Sequence, residues 1–515
     1  MRLKNNWLML LWTLIIVLLI SACSNDDKKN AKSEGKSVAE VPQEIVVRIN
    51  DDPDFLDPHK ATASISYQMI LNIFEGLMAP ETDGTLKEGL AESYKISEDG
   101  LTYTFKIRPG VKFHNGEDLT VEDIQYSFDR LMGKSGGEKM SNSFDNVVST
   151  EAPDANTFVI KLKEPNSNFL NSLTARQSAI LPKSNDGKHN ENPIGTGPFA
   201  FVKYSPGTNL ELKKNENYWK KGYPFLNKVT FTFQSDDQAA IMSLMANEVD
   251  LTSVPWQRVG EVKGSYNLSH QNNNSSLIVT FNESKAPFDN LKVRQAINYA
   301  ISKSDIIDSV FAGYAVPLGS NMSPAMGDYQ KKGLEDMYKR DVEKAKALLA
   351  EAGYPNGFKT KITVSSHNDI YSNIAQIVAA NLKEIGIDVE IEVVEWGIWL
   401  DRVYFGRDYQ MTTIDLTGRA SAYDILNDYI SNNDSENFFK FKNNQYDKIM
   451  ADVLKESDQA KQIEYYHRAQ EILAEQAAAV YIADYQIVWG SKKQITGLKN
   501  YPFWFHDMSE VKFSN

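Results

Sequence analysis

Seven histidines, one cysteine and one serine-centred glycine turn hold most of the side chains that could carry catalysis, and their spacing assembles no reacting centre. The histidines stand at 59, 114, 189, 270, 367, 467 and 506. None belongs to an H-E-x-x-H helix and none has a cysteine partner, so no structural metal is expected, although one or two of them could meet a metal chelate in a cleft. Gly133-Lys134-Ser135-Gly136-Gly137 fits G-x-S-x-G, but a nucleophile elbow needs a strand before the serine and a helix after it. Here an amphipathic helix pattern precedes the serine and glycines flank it, which predicts a surface loop. Gly35-Lys36-Ser37 and Gly133-Lys134-Ser135 both lack the upstream glycine of a phosphate-binding loop. The chain is expected to have no catalytic residue, no metal and no cofactor, and to bind rather than react.

The cysteine reads as an attachment point. Arg2 and Lys4 precede an apolar run from Trp7 to Ile20, closed by Ser21-Ala22-Cys23. A basic start and an apolar stretch short for a bilayer span make an export signal. Its end resembles a bacterial lipobox, which implies cleavage after residue 22 and a lipid on Cys23; a plain signal peptide or an uncleaved anchor is the competing reading. Cys23 is the only cysteine, so no internal disulfide can form even though export permits them. From Ser24 to Gln43 the chain is polar and charged, with too little apolar surface to offset the entropy of folding. Residues 1–22 therefore read as a signal, and 23–43 as lipidated cysteine and flexible tether.

The remainder must position any binding site. With 515 residues, 42% of them hydrophobic, two or three domains are expected. A net charge of -13 argues against nucleic acid as a partner. EIVVRIN at 44–50 reads as a strand, and DPDFLDPH after it as a loop. Ile65, Met69, Ile70, Ile73, Phe74 and Leu77 recur at helical spacing, with Ser64 placed to cap. Leu101, Tyr103, Phe105 and Ile107 alternate as a half-buried strand, and Thr120 with Asp123 opens a helix bearing Val121, Ile124, Phe128 and Leu131. Asp341 can cap a helix stopped by Gly353 and Pro355; Ile374, Ile377, Val378 and Ile385 mark another that ends at Gly386, followed by a strand from Ile387 to Val393. The interleaving predicts a mixed α/β class.

These segments resemble the peptide/nickel/opine solute-binding proteins, the extracellular solute-binding protein family 5 of ABC importers. The strongest block runs from Glu92 to Ile124, ESYKISEDGLTYTFKIRPGVKFHNGEDLTVEDI, with Tyr94 where a tryptophan is usual. FLDPH at 55–59, PIGTGPFAF at 193–201, NENYW at 215–219, NEVDL at 247–251, KVRQAINYAI at 292–301 and LKEIGIDVEI at 382–391 follow in family order. The resemblance implies a two-lobed periplasmic-binding-protein-like clamshell (type II, cluster C), with an extra subdomain in lobe I. Lobe I would hold residues 44–272 plus 487–515, its inserted subdomain about 80–190, and lobe II 273–486. Two crossings between lobes would make a hinge whose closed form the ligand favours.

The resemblance also directs attention to ligand contacts. Peptide-binding relatives hold the ligand ammonium with an aspartate after a Trp-x-x pattern; here TTIDLTGRASAYDIL places Arg419 at that position and Leu416 at the tryptophan. A guanidinium repels an ammonium and pairs with a carboxylate or phosphate. Three readings stand open: Asp415 or Asp424 supplies the negative charge, Arg419 reads an anionic group, or Arg419 is a surface arginine outside the cleft. Arg176 falls near the ligand-binding arginine of metal-chelate and opine receptors. Tyr67 and Trp396 are candidates for flat apolar contact surface, and Ser366 and His367 lie in another stretch that lines the cleft in relatives.

The resulting expectation is a monomeric lipoprotein on the extracytoplasmic face of a bacterial membrane that captures a peptide or small solute and delivers it to ABC permease and ATPase subunits. A receptor for a metal chelate or opine-like anion, and a surface sensor or adhesin on the same scaffold, are the alternatives. A secreted hydrolase would require a nucleophile that the motifs do not supply.

Overall fold

The computed structural model describes residues 42–514 except 135, 136, 418, 502 and 504. The leader, Cys23, most of the tether and Ser135 of the glycine turn lie outside the described residues.

Among the described residues, four buried hydrophobic clusters organise the fold. The largest gathers residues between Leu277 and Ala483. A second joins strands and loops near the start of the folded chain to the C-terminal stretch, pairing Ile45, Val47 and Ile49 with Phe231, Leu251, Met508 and Val511. A third is built on Leu77 to Ile180, and a small one packs around Val254 and Val262. Chain that leaves the second cluster and returns to it at the C-terminus gives the two-lobed α/β clamshell, with the third cluster as a subdomain of lobe I.

A twelve-stranded sheet runs through both lobes. Its continuous member is the strand Ala479–Ser491. The first half of that strand pairs with Ser276–Phe281, and its second half with Asn267–Asn272 and Leu251–Ser253. The partners of that strand therefore change over near residues 484–486, and the chain passes from one partner strand to the other at residues 273–275. Ser275 ties these two places together, its N–H and Oγ each 3.2 Å from Asp484 Oδ1, while Ser323 Oγ donates to Asp484 Oδ2 at 2.5 Å. Burial pushes the Asp484 carboxyl up to about 7, against the hydrogen bonds of the two serines.

Local signals held where the pairing is local. Thr120 and Asp123 form the reciprocal cap of the helix Val121–Leu131. That helix lies on a four-stranded antiparallel sheet, in which Tyr103, Phe105 and Ile107 are buried. Asp341 accepts from Lys344 N–H at 2.9 Å and starts the helix Val342–Glu351. The parallel strands Lys359–Ser365 and Asp388–Val394 are joined by the helix Asp369–Lys383, a right-sized crossover for that pairing.

The helix expected through Leu77 is shorter. It spans Ser64–Ile70 and has no capping bond from its N-cap residue, Ala63. Asp54 serves instead, with Oδ2 accepting from the N–H groups of Thr62 and Ala63 and Oδ1 from Ser66 Oγ. At the other end, the carbonyls of Asn72 and Ile73 accept from Phe199 N–H at 3.1 Å and Gly197 N–H at 2.9 Å. Those long-range bonds draw residues 71–76 out of the helix. Gly197 permits the approach, since a Cβ there would lie 2.6 Å from the Ile73 carbonyl oxygen.

Candidate functional site

The segment freed from the helix borders a cavity of about 290 Å³, lined by Glu75, Gly76, Arg176, Trp219, Ala420 and Phe503 among others. Ala420 follows the strand Met411–Leu416 of lobe II, so the cavity touches both lobes. Gly76 sits against the backbone that carries Arg176: an added Cβ would meet Leu173 O at 2.4 Å and Ala175 N at 2.6 Å. Glu75 accepts from Tyr218 OH at 2.9 Å, Thr196 Oγ1 at 2.8 Å and Trp219 Nε1 at 3.0 Å. Burial pushes its carboxyl up to about 7 despite those donors. Its oxygens are well occupied, which makes Glu75 a strut for the NENYW segment.

Arg176 is the exceptional charge of this cavity. It lies on the short helix Ala175–Ser178, with its guanidinium 5.2 Å from the centre of the Tyr67 ring. Burial pushes its pKa down, and the charges of Tyr67 and Asp424 work in the opposite direction. Among the described residues no carboxylate stands within ion-pair distance of it. A half-buried cation beside an aromatic face and without an ion-pair partner is one that an anion entering the cavity would pair with. Tyr67 itself is buried, its hydroxyl donating to the Ala61 carbonyl, and it supports Arg176 without lining the cavity.

Arg419 has the opposite character. Its guanidinium meets Asp428 at 2.7 Å and Glu436 at 2.9 Å, and its Nε donates to the Asp424 carbonyl at 2.9 Å. These partners hold its pKa up against burial. Ser421 caps the short helix Ala422–Leu426, its Oγ accepting from Asp424 N–H at 3.1 Å, and Asp424 Oδ1 accepts from Asn168 Nδ2 at 3.1 Å. Burial raises the Asp424 pKa. Asp424 and Arg419 both lie near enough to Arg176 to act on its charge, Asp424 favouring it and Arg419 opposing it.

The other candidates lie elsewhere. Asp415 lies near residues 484–486, where it accepts from Tyr485 OH at 2.9 Å and burial pushes it up to about 6. Ser366, His367 and Trp396 form a separate ledge on lobe II: the His367 ring is 4.5 Å from Trp396, which stacks on Trp399 at 5.3 Å. Ser366 N–H donates to the Val394 carbonyl. None of these four lines the cavity. Sequence reading missed Glu75, Asn168, Asp428 and Glu436. Only Asp428, a charge inside the apolar run around ILNDYI, carried a local signal.

Comparisons agree with this architecture. A model described as bacterial extracellular solute-binding proteins, family 5 Middle, matches residues 85–437. The glutathione-binding protein GsiB of Escherichia coli O1:K1 / APEC is 29% identical over 496 residues, covering 93% of this chain and 94% of that protein. The ABC transporter-associated periplasmic binding protein DppA from Helicobacter pylori, in complex with the peptide STSA, superposes with a TM-score of 0.74 at 27% identity, over 92% of this chain and 98% of that one. The oligopeptide-binding protein AppA from Bacillus subtilis, in complex with a nonapeptide, gives 0.73 at 25% identity, over 92% and 99%.

Proposed function

The chain belongs to the bacterial extracellular solute-binding proteins, family 5, and on that premise we propose that it captures a short peptide with a free carboxylate and hands it unchanged to an ABC importer. The family is one of solute-binding proteins acting outside the cytoplasm rather than of enzymes. Arg176 is the observation that carries the ligand reading: a half-buried arginine that lines a cavity of about 290 Å³, with no carboxylate within ion-pair distance among the described residues. A charge-assisted bond to a ligand carboxylate would satisfy it. The likeness to a glutathione-binding protein along nearly the whole chain supports a ligand of tripeptide size.

In this reading Arg419 serves lobe II and not the ligand, because Asp428 and Glu436 already balance its charge. The lobe boundaries are 44–272 plus 487–515 and 273–486, a division supported by the change of strand partners at 273–275 and 484–486. Cys23 carries a lipid that holds a monomeric receptor at the membrane, with permease and ATPase subunits as its partners; the support is the apolar run ending in Ser21-Ala22-Cys23. Calorimetry with glutathione and with its carboxyl-amidated form tests the ligand reading. Binding of the free acid alone upholds it, and equal binding of both forms removes Arg176 from the site.

A further inference from the structure

Residues 166–168 join the two lobes at a point far in sequence from the hinge. Ser167 N–H donates to the Leu454 carbonyl at 2.8 Å, and Ser167 Oγ donates to the Val453 carbonyl at 2.8 Å. Those carbonyls close the helix Asn444–Val453 of lobe II, where a helix end leaves acceptors unsatisfied. Asn168 Nδ2 adds the bond to Asp424 at 3.1 Å. On its own side the segment is pinned: Tyr103 OH donates to the Asn166 carbonyl at 2.9 Å, Asn171 Nδ2 donates to Asn168 Oδ1 at 2.9 Å, and Phe169 and Leu173 are fully buried in the subdomain core.

The same segment runs directly into Arg176 through the turn Phe169–Leu173 and the helix Ala175–Ser178. Asp424, which Asn168 grips, is also a carboxylate that acts on Arg176. We propose that Ser167 and Asn168 are positioning residues: a clasp from the lobe I subdomain to lobe II that brings Arg176 up to the lobe II side of the cavity only when the lobes are together. The pinned segment cannot follow lobe II as it moves away, so parting of the lobes breaks three hydrogen bonds at once. Closure and presentation of the guanidinium are then one event, and a ligand carboxylate on Arg176 favours the closed form by differential affinity. The clasp extends the reading of Arg176 as ligand anchor and rests on it.

The test is amide hydrogen exchange in the full chain, followed on fragments spanning Ser167, with the helix Val121–Leu131 of the same subdomain as internal control. Without ligand, the Ser167 amide should be protected. The double variant Ser167→Ala/Asn168→Ala should speed its exchange about tenfold, as expected for loss of two bonds, and leave the control helix unchanged. With glutathione as probe, the double variant should dissociate about tenfold faster at nearly the same association rate, and Ser167→Thr should keep wild-type values. An unprotected Ser167 amide in the wild-type protein overturns the clasp, as does a double variant with wild-type exchange and dissociation. Absence of glutathione binding in the wild type refutes the ligand reading, while the exchange in ligand-free protein still decides the clasp.

Discussion

Arg419 and Asp428 lie 2.7 Å apart beyond the end of the strand Met411–Leu416, and Glu436 closes on the same guanidinium nitrogen at 2.9 Å. The Arg419 guanidinium is thus balanced by carboxylates further along the chain. Burial keeps the Asp428 carboxyl at about 7 even beside this cation.

Arg419→Ala is expected to destabilise the fold by about 3 kcal/mol, because it leaves Asp428 buried without a counter-charge. Ligand affinity should change much less. Thermal unfolding and calorimetry on the one variant separate the two effects; an unchanged melting temperature with lost binding would return Arg419 to the ligand.

Arg176→Ala should give the reverse pattern. Loss of a charge-assisted bond to the ligand corresponds to about 1.5–3 kcal/mol, or roughly 10–100-fold in affinity. Stability should change little, since a half-buried side chain with no ion-pair partner among the described residues has been removed. Wild-type affinity for a carboxylate-bearing peptide would contradict the assignment.

Gly76→Ala probes the contact beneath Arg176. Its Cβ would meet Leu173 O at 2.4 Å, so the backbone must shift, with an expected cost of about 2 kcal/mol or more. Affinity should fall along with the melting temperature. A variant with both properties intact would show that the two segments do not depend on each other.

The acidic residues predict a stability that falls in mild alkali. Glu75, Asp428 and Asp484 are each held near 7, above the ordinary carboxylate range. A raised carboxylate favours the folded state most at low pH and loses that contribution as pH rises through its folded value. The buried histidines His59, His114, His189 and His506 are held at about 3 to 4; their unfolded forms still shed protons above pH 6.5, so each adds about 0.4 kcal/mol from pH 6.5 to 8.5 and together they offset part of the fall. In that window each such carboxylate should cost about 1 kcal/mol. Denaturation midpoints at the two pH values measure the fall, and Asp484→Asn should reduce it. A rise in stability from pH 6.5 to 8.5 would contradict the assignment.

What could be read from the sequence divides by the range of the interaction. The Thr120–Asp123 and Asp341 caps were legible because donor and acceptor lie within one helical turn. The helix after Asp54 was misread at both ends, since its start is capped from ten residues away and its end is drawn open by Gly197 and Phe199. Family-type blocks disclosed the lobed scaffold. Arg176 could be suspected, but its lack of a carboxylate partner could not, because that depends on what packs around it. The Asn168–Asp424 bond joins residues 256 positions apart, and no local pattern announces it. Asp415 is one of the carboxylates the resemblance leaves open for the ligand, and its bond to Tyr485, 70 positions away, has no local signal.

Native mass spectrometry of the protein with glutathione tests the central claim most directly. One intact molecule should be retained per chain, released at its original mass on denaturation, and largely lost when Arg176 is replaced by alanine. A wild-type chain that retains no glutathione, or that returns it cleaved, would contradict the account.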